Sequence, residues 1–297
     1  MLAMRVIAMI NQKGGVGKTT TVANLAAALA ARGFTVGLID ADPQAHLTMH
    51  FGLEPGAHTP GTYELLTDSA KIAQAAVYVE PGIWLVPSSI DLAGAEIELV
   101  STVGREQLLA DRLAEGPPAC DFVLMDCPPS LGLLTLNALA AADEVIIPLQ
   151  PHFLALQGLG KLLETVALVQ RRINPRLRVS GVVFCMFESN TRLAGEVVDD
   201  VEQFLAGQHD TNAPWAGAKL FETRIRRNIK LAEAPSFGQT IFRYEPHSNG
   251  ATDYDCMAEE FLQMPGRPAP AAGAASEPAP PAEPAPTPPP PAEGASA

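Results

Sequence analysis

Arg5-Val6-Ile7-Ala8-Met9-Ile10-Asn11-Gln12-Lys13-Gly14-Gly15-Val16-Gly17-Lys18-Thr19-Thr20 is the run on which the fold turns. A short continuous apolar stretch ends in a glycine loop, and an alanine-rich segment from Lys18 to Ala31 follows with helical character. Three glycines let the backbone turn tightly and aim its N–H groups inward. The loop opens onto a helix N-terminus, whose partial positive charge favours phosphate. Gly14, Gly15, Val16 and Gly17 form the cradle. Lys18 is expected to reach the β- and γ-phosphates, the Thr19 hydroxyl to ligate Mg²⁺, and Thr20 to approach the α-phosphate. ATP and Mg²⁺ are therefore the expected cofactors. A ligand-free glycine turn is the alternative, and Gly-Lys-Thr-Thr in a strand-loop-helix context argues against it. The usual pattern has a glycine five residues before Gly17. Here Gln12 stands in that place, and an additional lysine, Lys13, follows it.

Two further strand ends carry acids. In Leu38-Ile39-Asp40-Ala41-Asp42-Pro43-Gln44 the aspartates are two apart, so both point to one side of the sheet. Ligands of α/β sheets bind beyond the carboxyl ends of the strands, so these carboxylates face the phosphate site. A strand-end pair capping a turn, which Pro43 also suits, is the alternative. In Asp121-Phe122-Val123-Leu124-Met125-Asp126 four apolar residues deliver a carboxylate to the same edge, in the manner of a Mg²⁺-holding acid. Pro128 and Pro129 then stop the strand.

Outward from these motifs, apolar runs alternate with helical stretches. Residues 5–10, 35–39, 83–86, 122–125, 144–149 and 179–187 read as buried strands, continuous rather than alternating, as in a parallel sheet covered on both faces. Residues 18–31, 106–114, 133–141, 159–172, 193–205 and 253–263 read as helices. The expectation is an α/β, doubly wound, mostly parallel sheet with helices on both faces, over residues 1–263. The 34 residues from Met264 to Ala297 hold 12 of the 27 prolines and no aliphatic side chain larger than Ala after Met264. They are expected to form a disordered tail. Met1 and Met4 both precede the first strand, so either is a candidate start.

Charge and composition exclude several classes. No apolar run reaches the roughly 18 to 20 residues of a membrane span. The N-terminus lacks the features of a secretory signal. Four cysteines lie far apart without a C-x-x-C pair, which points away from zinc or disulfides and towards the cytoplasm. His46 and His50, four apart without an intervening Glu, read as a surface pair rather than a metal site. A net charge of -13 argues against nucleic acid as a partner of the whole chain. Residues 161–243, however, carry 12 Lys+Arg against 9 Asp+Glu. Two tight basic groups lie there: Arg171, Arg172, Arg176 and Arg178, which suit a solvated helix end, and Arg224, Arg226, Arg227 and Lys230. Local positive charge is all that backbone phosphate contact needs.

The run Lys13-Gly-Gly-Val-Gly-Lys-Thr-Thr20 resembles the deviant Walker A motif of the ParA/MinD family of P-loop NTPases, and Asp40-Ala-Asp-Pro-Gln44 resembles its second nucleotide motif. Asp126-Cys-Pro-Pro-Ser-Leu-Gly132, Leu134-Thr-Leu-Asn-Ala-Leu139, Ala155-Leu-Gln-Gly-Leu159 and Leu231-Ala-Glu-Ala-Pro-Ser-Phe-Gly238 are similar to the chromosome-partitioning ParA (Soj-like) group. The resemblance spans about residues 4–263 and is weakest over 52–119. It implies an ATPase in which Lys13 crosses a dimer interface to the other subunit's nucleotide. It further implies that Asp42 positions or activates the attacking water, that Asp40 supports the Mg²⁺ shell, and that Asp126 and Thr19 hold the metal. Partners implied are a second copy of the chain, non-specific DNA in the ATP state, and a ParB-like activator, with cytoplasmic and nucleoid localisation and no stable membrane association. Arg227 and Lys230 match the group's basic pair, and Arg192 is the third DNA-contact candidate. A solvated face is the other reading for each. Two departures stand out: Asn190 where the group usually has Arg, and Arg226 where Pro is usual. ParA-like positioning of another cargo and a MinD-like membrane switch are the competing functions. The Ala/Pro tail offers no amphipathic helix for the latter.

Overall fold

The computed structural model describes residues 4–189, 191–208 and 211–264. The expected tail beyond Met264, the ambiguous start at Met1, Asn190 and His209 lie outside them, whereas Met264, expected to open the tail, is buried in the core beside α12.

The strands are β1 (Arg5–Met9), β2 (Val36–Asp40), β3 (Val77–Glu80), β4 (Ile83–Val86), β5 (Phe122–Asp126), β6 (Glu144–Leu149), β7 (Arg178–Phe187), β8 (Lys219–Leu220) and β9 (Ile225–Arg226). They form one sheet in the order β3-β4-β2-β5-β1-β6-β7-β8, with β9 alongside β7. β3 runs antiparallel to β4, and the other pairings are parallel. The helices are α1 (Lys18–Ala31), α2 (His46–His50), α3 (Thr62–Leu66), α4 (Ile72–Ala75), α5 (Leu92–Glu98), α6 (Leu108–Ala114), α7 (Leu133–Ala141), α8 (Ala155–Arg172), α9 (Arg192–Ala206), α10 (Ile229–Glu233), α11 (Ile241–Tyr244) and α12 (Asn249–Gln263).

The continuous apolar runs hide a period of two. Val6 and Ala8 of β1 enter one core with Leu109, Leu134, Leu159 and Val201, from α6, α7, α8 and α9. Ile7 and Met9 enter the opposite core with Leu25 and Leu29 of α1 and Met257 and Phe261 of α12. Each fully buried Leu, Ile or Phe contributes about 1.5–3 kcal/mol, so both faces need their helices. α12 is tied to α1 beyond apolar contact. Tyr254 Oη lies 3.2 Å from Thr21 Oγ1, and Arg32 pairs with Asp255 at 2.6 Å.

At the amino end of the sheet, the Arg5 Nε and Nη2 groups donate to the two oxygens of Glu144 at 2.8 and 2.9 Å. Arg178 adds a third contact at 3.0 Å. Glu144 is fully buried. Arg178 therefore heads β7 as an ion-pair partner and not as a solvated helix end, unlike Arg171 and Arg172 in the last turn of α8.

At the carboxyl end, register sets the site. Met9 and Asp40 both align with Asp126 across β5, so three adjacent strands end level. α8 starts at Ala155, four residues before its sequence-expected start. α12 starts at Asn249, because Ser248 caps it by accepting from the Ala251 N–H.

Candidate nucleotide-binding site

The loop after β1 bends through left-handed residues at Gly15 (φ 70°) and Gly17 (φ 95°). A Cβ at Gly17 would meet Cys185 at an ordinary van der Waals distance of 3.4 Å, so it is the positive φ that calls for glycine there. α1 then begins with no side-chain cap and no acid in its first turn. Its first N–H groups are left open to an anion. Lys18 is buried, and its Nζ folds back to the Lys13 carbonyl at 3.5 Å. Asn11 anchors the loop's start. Its Nδ2 donates to the Pro148 carbonyl at 2.7 Å, and its Oδ1 accepts from the Lys13 N–H at 2.9 Å. Gly14, Gly15, Gly17, Lys18, Thr19 and Thr20 all line a cleft of about 640 Å³, while Val16 is packed inside.

The acids arrive from the neighbouring strand ends. Thr19 Oγ1 donates to Asp126 Oδ2 at 2.6 Å. Asp126 Oδ1 is buried without a hydrogen-bond partner among the described residues. Burial first, and then the Asp40 charge, push the Asp126 carboxyl well up, while Lys18 offsets part of this. Asp40 is held locally: its Oδ2 accepts from Thr48 N and Oγ1 at 2.8 and 2.7 Å, its Oδ1 from Asp42 N at 3.2 Å. Burial raises its pKa to about 7. Asp42 lines the cleft, its Oδ1 accepting from Gln44 N at 2.9 Å. Two carboxyls driven towards the neutral form, beside one lysine and an open oxygen, make a place where added positive charge is favourable. The Thr19 hydroxyl and Asp126 fit Mg²⁺, and Asp40 reaches the same edge while engaged by Thr48.

Sequence reading missed Thr48, which braces Asp40, and Thr62, whose Oγ1 donates to the Asp40 carbonyl at 2.7 Å. Nothing in the local pattern marks either one. It also missed the far wall of the cleft, made by Cys185, Asn228, Leu231, Pro235, Ser236 and Tyr254. The turn over 234–237, capped by Gly238, meets the turn that follows α2 at a glycine pair: a Cβ on Gly238 would lie 2.7 Å from Gly52 Cα. The His46/His50 surface pair needs correction. His46 is exposed, but His50 is buried, and burial lowers its pKa to about 4.

The basic candidates each meet an acid. Arg192 opens α9, 92% exposed, and pairs with Glu196 at 2.8 Å. Arg227 pairs with Glu188, and Lys230 with Glu233 at 2.9 Å. Arg224 stacks over Phe187 at 4.7 Å. Arg226 grips Asp253 of α12, its Nε 3.0 Å from Oδ1, while about half of the Arg226 side chain stays exposed.

Residues 4–179 match the family described as an AAA domain. The chain is 43% identical to the sporulation initiation inhibitor protein Soj of Bacillus subtilis over 258 residues, 86% of this chain and 97% of Soj. It is 42% identical to the chromosome partitioning protein ParA of Caulobacter vibrioides over 264 residues, 87% of this chain and 94% of that one. A crystal structure of cobyrinic acid a,c-diamide synthase from Mycobacterium smegmatis, with bound ATP analog and magnesium, shares the fold. Its TM-score is 0.73 at 37% identity, covering 88% of this chain and 95% of that one. The chain belongs to the ParA/MinD family of P-loop ATPases, in its Soj-like group. ATP and Mg²⁺ are ligands of this family.

Proposed function

We propose that this member of the Soj-like group is an Mg²⁺-dependent ATPase that partitions DNA. ATP closes two copies into a dimer that binds DNA without sequence preference, and hydrolysis reopens it. The observation that carries the reading is the Thr19–Asp126 contact with its open, buried Asp126 Oδ1, directly beneath the uncapped start of α1. Mg²⁺ would supply charge neutralisation for the phosphates at Thr19 and Asp126. The chain's own groups do the remaining work. The first-turn N–H groups of α1 and the Lys18 ammonium hold the phosphate oxygens. Asp42, at the cleft wall, orients the attacking water. Phosphoryl transfer to water needs placement more than a strong base, so one well-held carboxylate suffices. Lys13, exposed at the loop tip, reaches the nucleotide of the second copy.

DNA contact is assigned to Arg192, Arg227 and Lys230 around the carboxyl end of β7. The acids now paired with them are exposed (Glu188, Glu196) or partly exposed (Glu233) and compete weakly, since surface ion pairs are worth about 0–1 kcal/mol. A ParB-like activator is the expected stimulating partner. Among the described residues no helix is long and apolar enough to cross a membrane. The reading is tested by DNA titration with ATP, ADP and no nucleotide at two salt concentrations. Binding is expected with ATP alone and to weaken steeply with salt. Equal binding in all three states would overturn the switch.

A further inference from the structure

Lys13 does not hang free in the subunit described here. Its Nζ lies 2.7 Å from His152 Nε2 and 3.5 Å from Gln150 Oε1. Both acceptors sit on the segment just after β6, the strand hydrogen-bonded to β1. The same segment already holds the loop's start through Asn11 and Pro148. An ammonium has donors only, so Nε2 must accept and the neutral ring's proton must sit on Nδ1. A protonated ring has no acceptor and carries a like charge. The contact therefore exists only with neutral His152.

We infer that His152 is a positioning residue that stores Lys13 on its own subunit, so that Lys13 must leave the imidazole before it can serve a second copy. This rests on the trans role proposed for Lys13. The neighbouring residues place the store at the face that must close. Phe153 and Leu154 are 83% and 55% exposed, large apolar side chains on the very segment that holds Lys13. A second copy covering them would meet Lys13 at the moment of contact. Protonation of His152 opens the store without a partner. Burial, and then the Lys13 charge, lower the His152 pKa, so the ring is neutral and the store closed near pH 7. Lys13 is the charged group acting on that ring among the described residues; Gln150, Phe153 and Leu154 carry none.

The test uses the full chain with Mg²⁺ and a non-hydrolysable ATP analogue, following dimerisation by sedimentation between pH 8 and pH 5.5. His152→Ala is expected to dimerise about five- to tenfold more tightly at pH 8, the worth of one released hydrogen bond. His152→Gln, which keeps an acceptor but no titration, is expected to stay at the wild-type level at pH 8. The wild type should approach His152→Ala as pH falls, while the gap between the two variants stays constant. That comparison separates His152 from the site carboxylates, which titrate in every variant. Nuclear magnetic resonance of the ring supplies a second measurement, with Lys13→Ala expected to raise the His152 pKa. A wild-type His152→Ala at every pH, or an unmoved ring pKa in Lys13→Ala, would overturn the storage role. If instead Lys13→Ala itself dimerises and hydrolyses ATP normally, the trans-lysine reading falls, and the two failures are told apart.

Discussion

At the amino end of the sheet, Glu144 is fully buried yet matched by two contacts from Arg5 and one from Arg178. At the carboxyl end, Asp40 and Asp126 are equally buried but face one lysine, and an Asp126 oxygen has no partner. In the first arrangement the carboxylate is fully paired with cations, although Arg5 Nη1 has no hydrogen-bond partner among the described residues. The second is paired only when something positive arrives. A fold that can satisfy a buried carboxylate at one end, and leaves two under-compensated at the other, holds the latter for a ligand.

Lys18→Ala should break the contrast most severely, by removing the positive charge at the open end. Loss of a buried charge-assisted contact of this kind is worth about 2–5 kcal/mol, on the order of 30- to 5000-fold in ATP affinity. Isothermal titration checks it, and retained tight binding would remove Lys18 from the phosphate site. Arg5→Ala attacks the paired end. Glu144 keeps Arg178 as its one remaining partner, so losing the two Arg5 contacts should cost up to about 3–5 kcal/mol in urea unfolding while ATP affinity of the folded fraction is unchanged. A neutral effect would show that the amino-end cluster is not what holds β1 to β6.

Asp126→Asn should do the reverse of Arg5→Ala. The sign follows from the raised carboxyls. Asp40 titrates near 7 when folded, against 3.8 as a free side chain. Such a group favours the folded state while it keeps its proton, fully below about pH 4, and that stability is lost as pH rises towards 7. Asp126 shifts in the same direction. In EDTA, Asp126→Asn is therefore expected to melt several degrees higher than wild type at pH 8 and equally at low pH, at about 2–4 °C per kcal/mol. Mg²⁺ with ATP should erase or invert that advantage, because only the wild type gains from the cation. A lower melting point in EDTA would mean that the Asp126 carboxylate is structural. Arg227→Ala should have the smallest effect, a few-fold loss of DNA affinity in the ATP state and a salt slope shallower by about one. Unchanged affinity would return Arg227 to the solvated surface.

Legibility in the sequence followed locality. The placement of the glycine loop, Asp40–Asp42 and Asp126 at one edge of the sheet was readable because each is a contiguous strand-end stretch, and the level ending of β1, β2 and β5 follows from the parallel pairing of strands. The extents of α1 (18–31) and α7 (133–141) were readable from composition and spacing. β8 and β9 were not, since two residues carry no periodicity. The short helices α2, α3 and α4, at four or five residues, fall below any helical pattern and exist by packing. The second wall of the cleft comes from residues more than 160 positions after the loop. Thr48 and His152 carry no motif; only proximity reveals that one braces Asp40 and the other holds Lys13.

The packing of α12 on α1 sets an order of events during synthesis. The phosphate-binding helix is among the first segments made, yet Met257, Phe261 and Tyr254, which cover its inner face and the base of the cleft, are among the last of the described residues. A growing chain can pack α1 on β2, β4 and β5 early, but the α12 share of that core is added only some 230 residues after α1. The Tyr254 part of the cleft wall is thus completed only when α12 arrives. A chain truncated or stalled before α12 is expected to leave the α1 core around Leu25 and Leu29 open to chaperones and proteases.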